Sequence, residues 1–265
     1  MKTVLITGAS SGIGRELAKV YARNGFNLVL VGRRENRLDE LKKEILEDIN
    51  SGILINGLVL DLARSESIQR LVDFFEEKGI QVDVLVNNAG VGIFGKFSDL
   101  SNEEFEKNLK LIDVNVKALV ELTWIFLRKM KERNEGGILN VASVASFQPG
   151  GPLMATYYAS KSFVLTFTEG IREEMRDSNV RISTLCPGPT MTEFEKMEEI
   201  SGIFNKMKTM SAKKVAEIAY KDFSRGKSVI IPGKLNKIAV FFGKFIPRNL
   251  ALKIVKKYKK KSREM

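Results

Sequence analysis

Between residues 3 and 232, short apolar runs bounded by turn residues alternate with longer amphipathic stretches, and this alternation limits the fold more than any other feature of the chain. The runs TVLIT (3–7), NLVLVG (27–32), ILINGLVLDL (53–62), VDVLVNN (82–88), GILNVAS (137–143), VRISTLC (180–186) and SVIIP (228–232) read as strands. The shorter ones are apolar throughout, as parallel strands covered on both faces must be. Between them, stretches near 12–24, 35–49, 65–78, 101–130, 156–178 and 211–223 have helical periodicity; Ile13, Leu17, Val20 and Tyr21 mark the first. Such repetition predicts a doubly wound parallel sheet of about seven strands, an α/β/α fold of three layers. A chain of 265 residues, 44% of them hydrophobic, can bury one substantial core, so a single domain is expected.

Composition removes several kinds of chemistry. There is no histidine and only one cysteine, Cys186, so neither an internal disulfide nor a thiolate or imidazole metal site is expected. Proton transfer near neutral pH must then use another side chain, tuned by its surroundings. The start, MKTVLITGAS, turns glycine-rich too soon for the apolar core of a signal peptide, and no window approaches 18 uninterrupted apolar residues. A cytoplasmic protein is expected. The net charge of +11 is concentrated at the end: Lys237 to Met265 holds ten Lys/Arg against one Glu. No reading module accompanies that charge, so nucleic acid is not an expected partner.

TGASSGIG, Thr7 to Gly14, directly follows the first strand and opens the first helix. Gly8 suits the turn, Gly12 lets a diphosphate approach the backbone, and Gly14 permits close packing of helix on sheet. With Ser10, Ser11 and Ile13 these residues form a candidate phosphate cradle at a helix N-terminus. The spacing is looser than G-x-G-x-x-G. At the end of the second strand, an acid would hold the adenosine ribose of NAD; the chain instead has Gly32 followed by Arg33 and Arg34. An arginine fork suits a 2'-phosphate, so NADP(H) is the expected cofactor. Asp61 and Leu62, ending the third strand, and Asn88, Ala89 and Gly90, ending the fourth, would line the same crevice.

In YYASK, Tyr157 and Lys161 are four residues apart and share a helix face, whereas Tyr158 lies about a hundred degrees around the axis. An ammonium beside a phenol is expected to lower its pKa and suit it to acid/base work. A bare Y-x-x-x-K is weak by itself, because an amphipathic helix with a snorkelling lysine has the same pattern.

The chain resembles the short-chain dehydrogenase/reductase family. TGASSGIG, NNAG, the asparagine in IDVNVKAL, the serine in NVASVAS, YYASK and CPGPTMT occur in that family's order and at its usual intervals, from Lys2 to about Pro232. The resemblance implies a Rossmann-like fold, a metal-free hydride transfer, and a homodimer or homotetramer. It assigns the acid/base to Tyr157, cofactor orientation and proton relay to Lys161, the substrate oxygen to Ser143, with Ser146 a nearby competitor, and a water contacting Lys161 to Asn115. Pro187 and Gly188 shape the turn after the sixth strand, and Thr190 and Thr192 are placed toward the carboxamide and pyrophosphate end of the cofactor. Fourteen residues separate Ser143 from Tyr157, one more than is commonest, which bears on the geometry of the substrate loop.

Residues 189–210 separate a strand from the next helix and are rich in Met and Phe, which suits either a substrate lid or a short packed helix. With Phe94, Phe97, Phe147 and Met154 they suggest an apolar pocket for a small-molecule carbonyl or alcohol. The leading expectation is an NADPH-dependent reductase of a moderately apolar ketone or aldehyde. A 3-oxoacyl thioester reductase, a sugar or alcohol dehydrogenase, and a non-catalytic NADP(H)-binding regulatory protein stand as alternatives. Residues 1–236 read as the catalytic domain and 237–265 as a basic extension. In the extension Leu250, Ile254 and Tyr258, joined by Ala251 and Val255, form an apolar face fit either to pack on the enzyme or to lie on an anionic membrane.

Overall fold

The computed structural model describes residues 1–192 and 209–261. Seven parallel strands form the central sheet in the order β3-β2-β1-β4-β5-β6-β9. They are β1 (Thr3–Thr7), β2 (Asn27–Gly32), β3 (Ile55–Val59), β4 (Val84–Asn87), β5 (Gly136–Val141), β6 (Val180–Leu185) and β9 (Val229–Ile230). The strand order reverses between β1 and β4, which pair with Val4 opposite Val84 and Ile6 opposite Val86. At such a reversal the connections leave to opposite faces and a crevice opens at the carboxyl ends of the strands. A separate two-residue ladder joins β7 (Thr190–Met191) to β8 (Met210–Ser211).

The burial of each strand follows its place in the sheet. β1, in the middle, is buried at all five residues, while Asn56 to Val59 of the edge strand β3 stay at least partly accessible. Helices α1 (Gly12–Arg23), α2 (Glu35–Asp48) and α7 (Ala212–Ser224) cover one face. Tyr21 of α1 packs edge-on against Tyr220 of α7, with ring centroids 5.0 Å apart. On the other face, α3 (Ser65–Lys78), α5 (Leu119–Arg133) and α6 (Ala155–Glu174) enclose a second core that includes Leu71, Phe75, Leu122, Phe126 and Ile171.

Two local features place the site. The stretch expected as one helix, 101–130, starts at α4 (Asn102–Ile112) with a reciprocal Ser101/Glu104 capping box, and is then interrupted by a π-helical turn at Asp113–Ala118. That turn carries Asn115. Beyond β9 the chain forms α8 (Lys234–Gly243) and α9 (Arg248–Lys261). α8 packs on the turn Val144–Phe147, and its Asn236 occupies the space that a side chain at Gly188 would need.

Candidate active site

The carboxyl ends of β1 to β6 open into one cavity of about 730 Å³, in the range typical of small-molecule sites. Its wall runs from Gly8, Ser10, Ser11, Gly12 and Ile13 through Arg33 and Arg34, Asp61 and Leu62, then Asn88, Ala89 and Gly90. It continues through Ser143 to Pro187, Gly188, Thr190 and Thr192, and α6 adds Tyr157 and Lys161. Six separate loops therefore bring the sequence-predicted residues together. Two of those residues stand behind the wall instead, Gly14 and Asn115.

The glycine turn is held by its neighbour strand. Gly8 has φ +66°, a conformation open to glycine at little cost. The Asn88 amide donates to the carbonyls of Thr7 at 2.9 Å and Gly8 at 3.1 Å, and Thr7 Oγ1 accepts from the backbone N–H groups of Asn88 and Ala89 at 3.0 Å each. A Cβ on Gly14 would overlap Asn88 Nδ2 and the Gly8 oxygen. Gly14 therefore serves the close packing of α1 under the turn, the role expected of it, and stands behind the cavity wall. The first turn of α1 holds no acidic residue, so its positive dipole end stays available to an anion.

At the end of β2 the site is cationic. Arg33 and Arg34 are exposed, and Arg34 Nη2 donates to Ser10 Oγ at 3.4 Å. A Cβ on Gly32 would lie 3.2 Å from Ser10 Cβ and 3.3 Å from Leu38 Cδ2, so a carboxylate there would have to displace both. Asp61 Oδ1 accepts from the Ala63 N–H at 3.2 Å, and Leu62 turns into the core. The Thr190 hydroxyl donates to the Gly188 carbonyl at 2.8 Å.

The opposite end of the cavity holds the titratable groups. The hydroxyls of Tyr157 and Ser143 are hydrogen-bonded to one another, and Ser143 Oγ also accepts from the Ala145 N–H at 3.1 Å. Ser146 donates to the Lys161 carbonyl at 2.7 Å and lies outside the wall, so of the two serines it is Ser143 that meets Tyr157. Lys161 is buried; its Nζ donates to the Val141 carbonyl at 2.9 Å and lies 5.9 Å from the centre of the Tyr157 ring. Asn115 uses its whole side chain: Oδ1 accepts from the Val91 N–H at 2.9 Å, and Nδ2 donates to the Val91 carbonyl at 3.0 Å and to Ser160 Oγ at 3.1 Å. Ser160 Oγ in turn donates to the Tyr157 carbonyl at 2.7 Å. The π-helical turn is thus tied both to the loop after β4 and to the helix that carries Tyr157.

Burial is the largest influence on each titratable group here. It raises the Tyr157 pKa above the ordinary phenol value, against a smaller opposing pull from the Ser143 hydrogen bond. The expected lowering by Lys161 is absent: the ammonium points at the Val141 carbonyl, and desolvation of the phenolate wins. Burial also brings Lys161 down to about 8, with Cys186 acting in the other direction. Tyr158 is pushed up to about 12 by burial and then by Tyr157.

The apolar wall differs from the sequence expectation. Phe94 and Met154 pack together beneath the two tyrosines, and only Met154 reaches the cavity. Phe97 is 59% exposed and meets Phe105, and Phe147 packs against a core cluster around Leu119 and Val164. Most of the 189–210 segment lies outside the described residues, including Phe194, Met197, Phe204 and Met207. Two wall residues come instead from the extension: Ile254 and Val255 of α9 line the cavity, and Ala251 is buried one turn earlier. Their helical spacing marked an apolar face, and nothing in it named the surface that the face would cover.

A family model described as short chain dehydrogenase matches residues 2–200. Sulfoacetaldehyde reductase 2 of Chromohalobacter salexigens is 37% identical over 193 residues, covering 72% of this chain and 73% of that protein. A short-chain dehydrogenase from Sphingobium yanoikuyae, solved in complex with NADPH, superposes with a TM-score of 0.80 at 31% identity, over 92% of this chain and 93% of the other. A short chain dehydrogenase/reductase from Burkholderia phymatum, in complex with NAD, gives 0.79 at 27% identity, over 91% and 92%. The fold and the match together make this chain an oxidoreductase. It belongs to the short-chain dehydrogenase/reductase family.

Proposed function

We propose that this enzyme reduces the carbonyl of a moderately apolar ketone or aldehyde with NADPH, Tyr157 supplying the proton. The observation that carries this reading is the pairing of the Tyr157 and Ser143 hydroxyls beside a buried Lys161, at the apolar end of a cavity whose other end is cationic. NADPH held by the glycine turn, Arg33 and Arg34 would supply the hydride that the carbonyl carbon accepts. Ser143 hydrogen-bonds the carbonyl oxygen, and Tyr157 gives that oxygen its proton as it becomes an alkoxide. A neutral phenol can donate in the reductive direction, and the same group takes the proton back in the reverse one. Lys161, with the backbone fixed by Asn115 beside it, orients the cofactor ribose and returns a proton to Tyr157.

Arg33 and Arg34, with a glycine where an acid would stand, favour a 2'-phosphate, and the relative from Sphingobium yanoikuyae was solved with NADPH. Met154, Tyr158, Ile254 and Val255 give the substrate end an apolar surface. The name of the relative from Chromohalobacter salexigens, an aldehyde reductase, supports carbonyl reduction as the direction. The test is NADPH oxidation across a panel of ketones, aldehydes, acyl thioesters and sugars, with wild type, Tyr157→Phe and Tyr158→Phe. Turnover on an apolar ketone or aldehyde, lost in Tyr157→Phe and largely kept in Tyr158→Phe, is expected. Equal losses in both variants, or no oxidation across the panel, would overturn the proposal.

A further inference from the structure

Eight of the eighteen large apolar side chains that stand exposed among the described residues fall between Leu235 and Ile254. On α8 and the turn after it, Leu235, Ile238, Phe242 and Phe245 recur at three- and four-residue intervals and so form one stripe. The stripe faces outward. Phe241, Phe242 and Phe245 are 57%, 61% and 71% exposed, whereas Val240, on the inner side of α8, is 6% exposed. The three rings pack on one another, Phe241 lying 5.3 Å from Phe242 and 5.5 Å from Phe245 between centroids. Scattered exposed apolar residues are ordinary; a contiguous aromatic cluster marks a surface that something covers.

The charge around the cluster selects the occupant. From Lys234 to Arg248, the stretch that holds the cluster, there are four Lys/Arg and no Asp or Glu. A second copy of the chain docking through a two-fold axis would bring this same patch against itself, cation against cation. An anionic lipid surface answers both parts: rings enter the boundary of the acyl chains while the lysines and arginines meet phosphate oxygens. α8 has ten residues, about half of what a bilayer requires, and among the described residues no helix is long and apolar enough to cross a membrane. The helix would therefore lie in the plane of the interface.

We propose that α8 and the turn after it dock this enzyme on an anionic lipid bilayer, with Phe241, Phe242 and Phe245 inserted. The contact differs from the one suggested by the spacing of Leu250, Ile254 and Tyr258. The α9 helix turns Ala251 and Val255 toward the enzyme, and α8 presents the outward face. The proposal is independent of which carbonyl is reduced.

The experiment is co-sedimentation of the full chain with vesicles of phosphatidylcholine alone or mixed with phosphatidylglycerol. Wild type should partition to the mixed vesicles and be weakened by salt. The triple variant Phe241→Ser/Phe242→Ser/Phe245→Ser should lose about tenfold or more of that partition, with unchanged melting and gel-filtration elution. Phe245→Ser alone, at the most exposed ring, should lose a smaller share and serves if the triple variant does not fold. Equal binding by the variants, or failure of wild type to bind the mixed vesicles, would overturn the proposal. So would a triple variant that changes oligomeric state while wild type ignores lipid, since the surface would then be a contact between copies.

Discussion

Replacing Lys161 with methionine should make the cofactor-free protein more stable at neutral pH while removing its activity. Burial brings this ammonium from 10.5 to about 8, and at about 1.4 kcal/mol for each tenfold change the folded state carries roughly 3 kcal/mol of cost for keeping it charged. Below pH 8 the lysine is protonated folded and unfolded, and the full cost is present. Between about 8 and 10.5 the folded chain has released the proton and the unfolded chain has not, so the cost fades as pH rises. Above 10.5 both are neutral and none remains. Methionine has similar length and no charge, but leaves the Val141 carbonyl without its donor, which costs about 1 kcal/mol.

The variant should therefore lead by about 2 kcal/mol at pH 7, or about 4 °C in melting temperature for a chain of this size. The lead should shrink as pH rises and turn into a deficit of under about 1 kcal/mol by pH 10.5. Urea unfolding of both proteins from pH 7 to 10.5 measures the gap, and groups that titrate alike in the two chains cancel. Cys186, whose thiol burial pushes up to about 12, stays protonated across the window. A gap that does not change with pH would show that Lys161 is not desolvated and refute the reasoning.

The cofactor end offers two further checks. Gly14→Ala sets a methyl group against Asn88 Nδ2 and the Gly8 carbonyl; the overlap should cost about 2 kcal/mol or more despite the better helix propensity of alanine, seen as a lower urea midpoint together with weaker NADPH binding in a fluorescence titration. A more stable variant would contradict the packing role. Arg33→Ala should raise KM for NADPH about tenfold or more, equivalent to about 1.4 kcal/mol, with little change for NADH; equal effects on the two cofactors would refute the 2'-phosphate assignment.

How far the sequence could be read depended on whether the deciding contact was local. The strand and helix order was legible because periodicity is set within each element, and the ends differ for local reasons: the third run extends to Leu62 in sequence, but the chain leaves the sheet at Val59 to make the turn held by Asp61. Asn115 is a polar residue inside an amphipathic stretch, and its partners, Val91 and Ser160, lie 24 and 45 residues away. The π-helical turn around it was not legible, because periodicity alone does not mark where a helix departs from α geometry. Helix geometry correctly put Tyr157 and Lys161 on one face, yet gave the wrong sign for the phenol. Sharing a face does not decide where an ammonium points, and the depth of burial that outweighs it belongs to the assembled site.

The C-terminal extension shows the same boundary from the other side. An apolar stripe on a helix states that a surface will be covered and leaves open which one. For α9 the answer is the enzyme, because Gly150 leaves room for Leu252 and the wall of the cavity accepts Val255. For α8 the buried position is Val240 and Asn236 is held at Gly188, which turns the phenylalanines outward by elimination. Removing the whole extension would strip α9 from the cavity as well as α8 from any lipid, so loss of binding or of activity in a truncation could not be assigned to either. Substitutions confined to the exposed rings separate the two, because none of those rings lines the cavity.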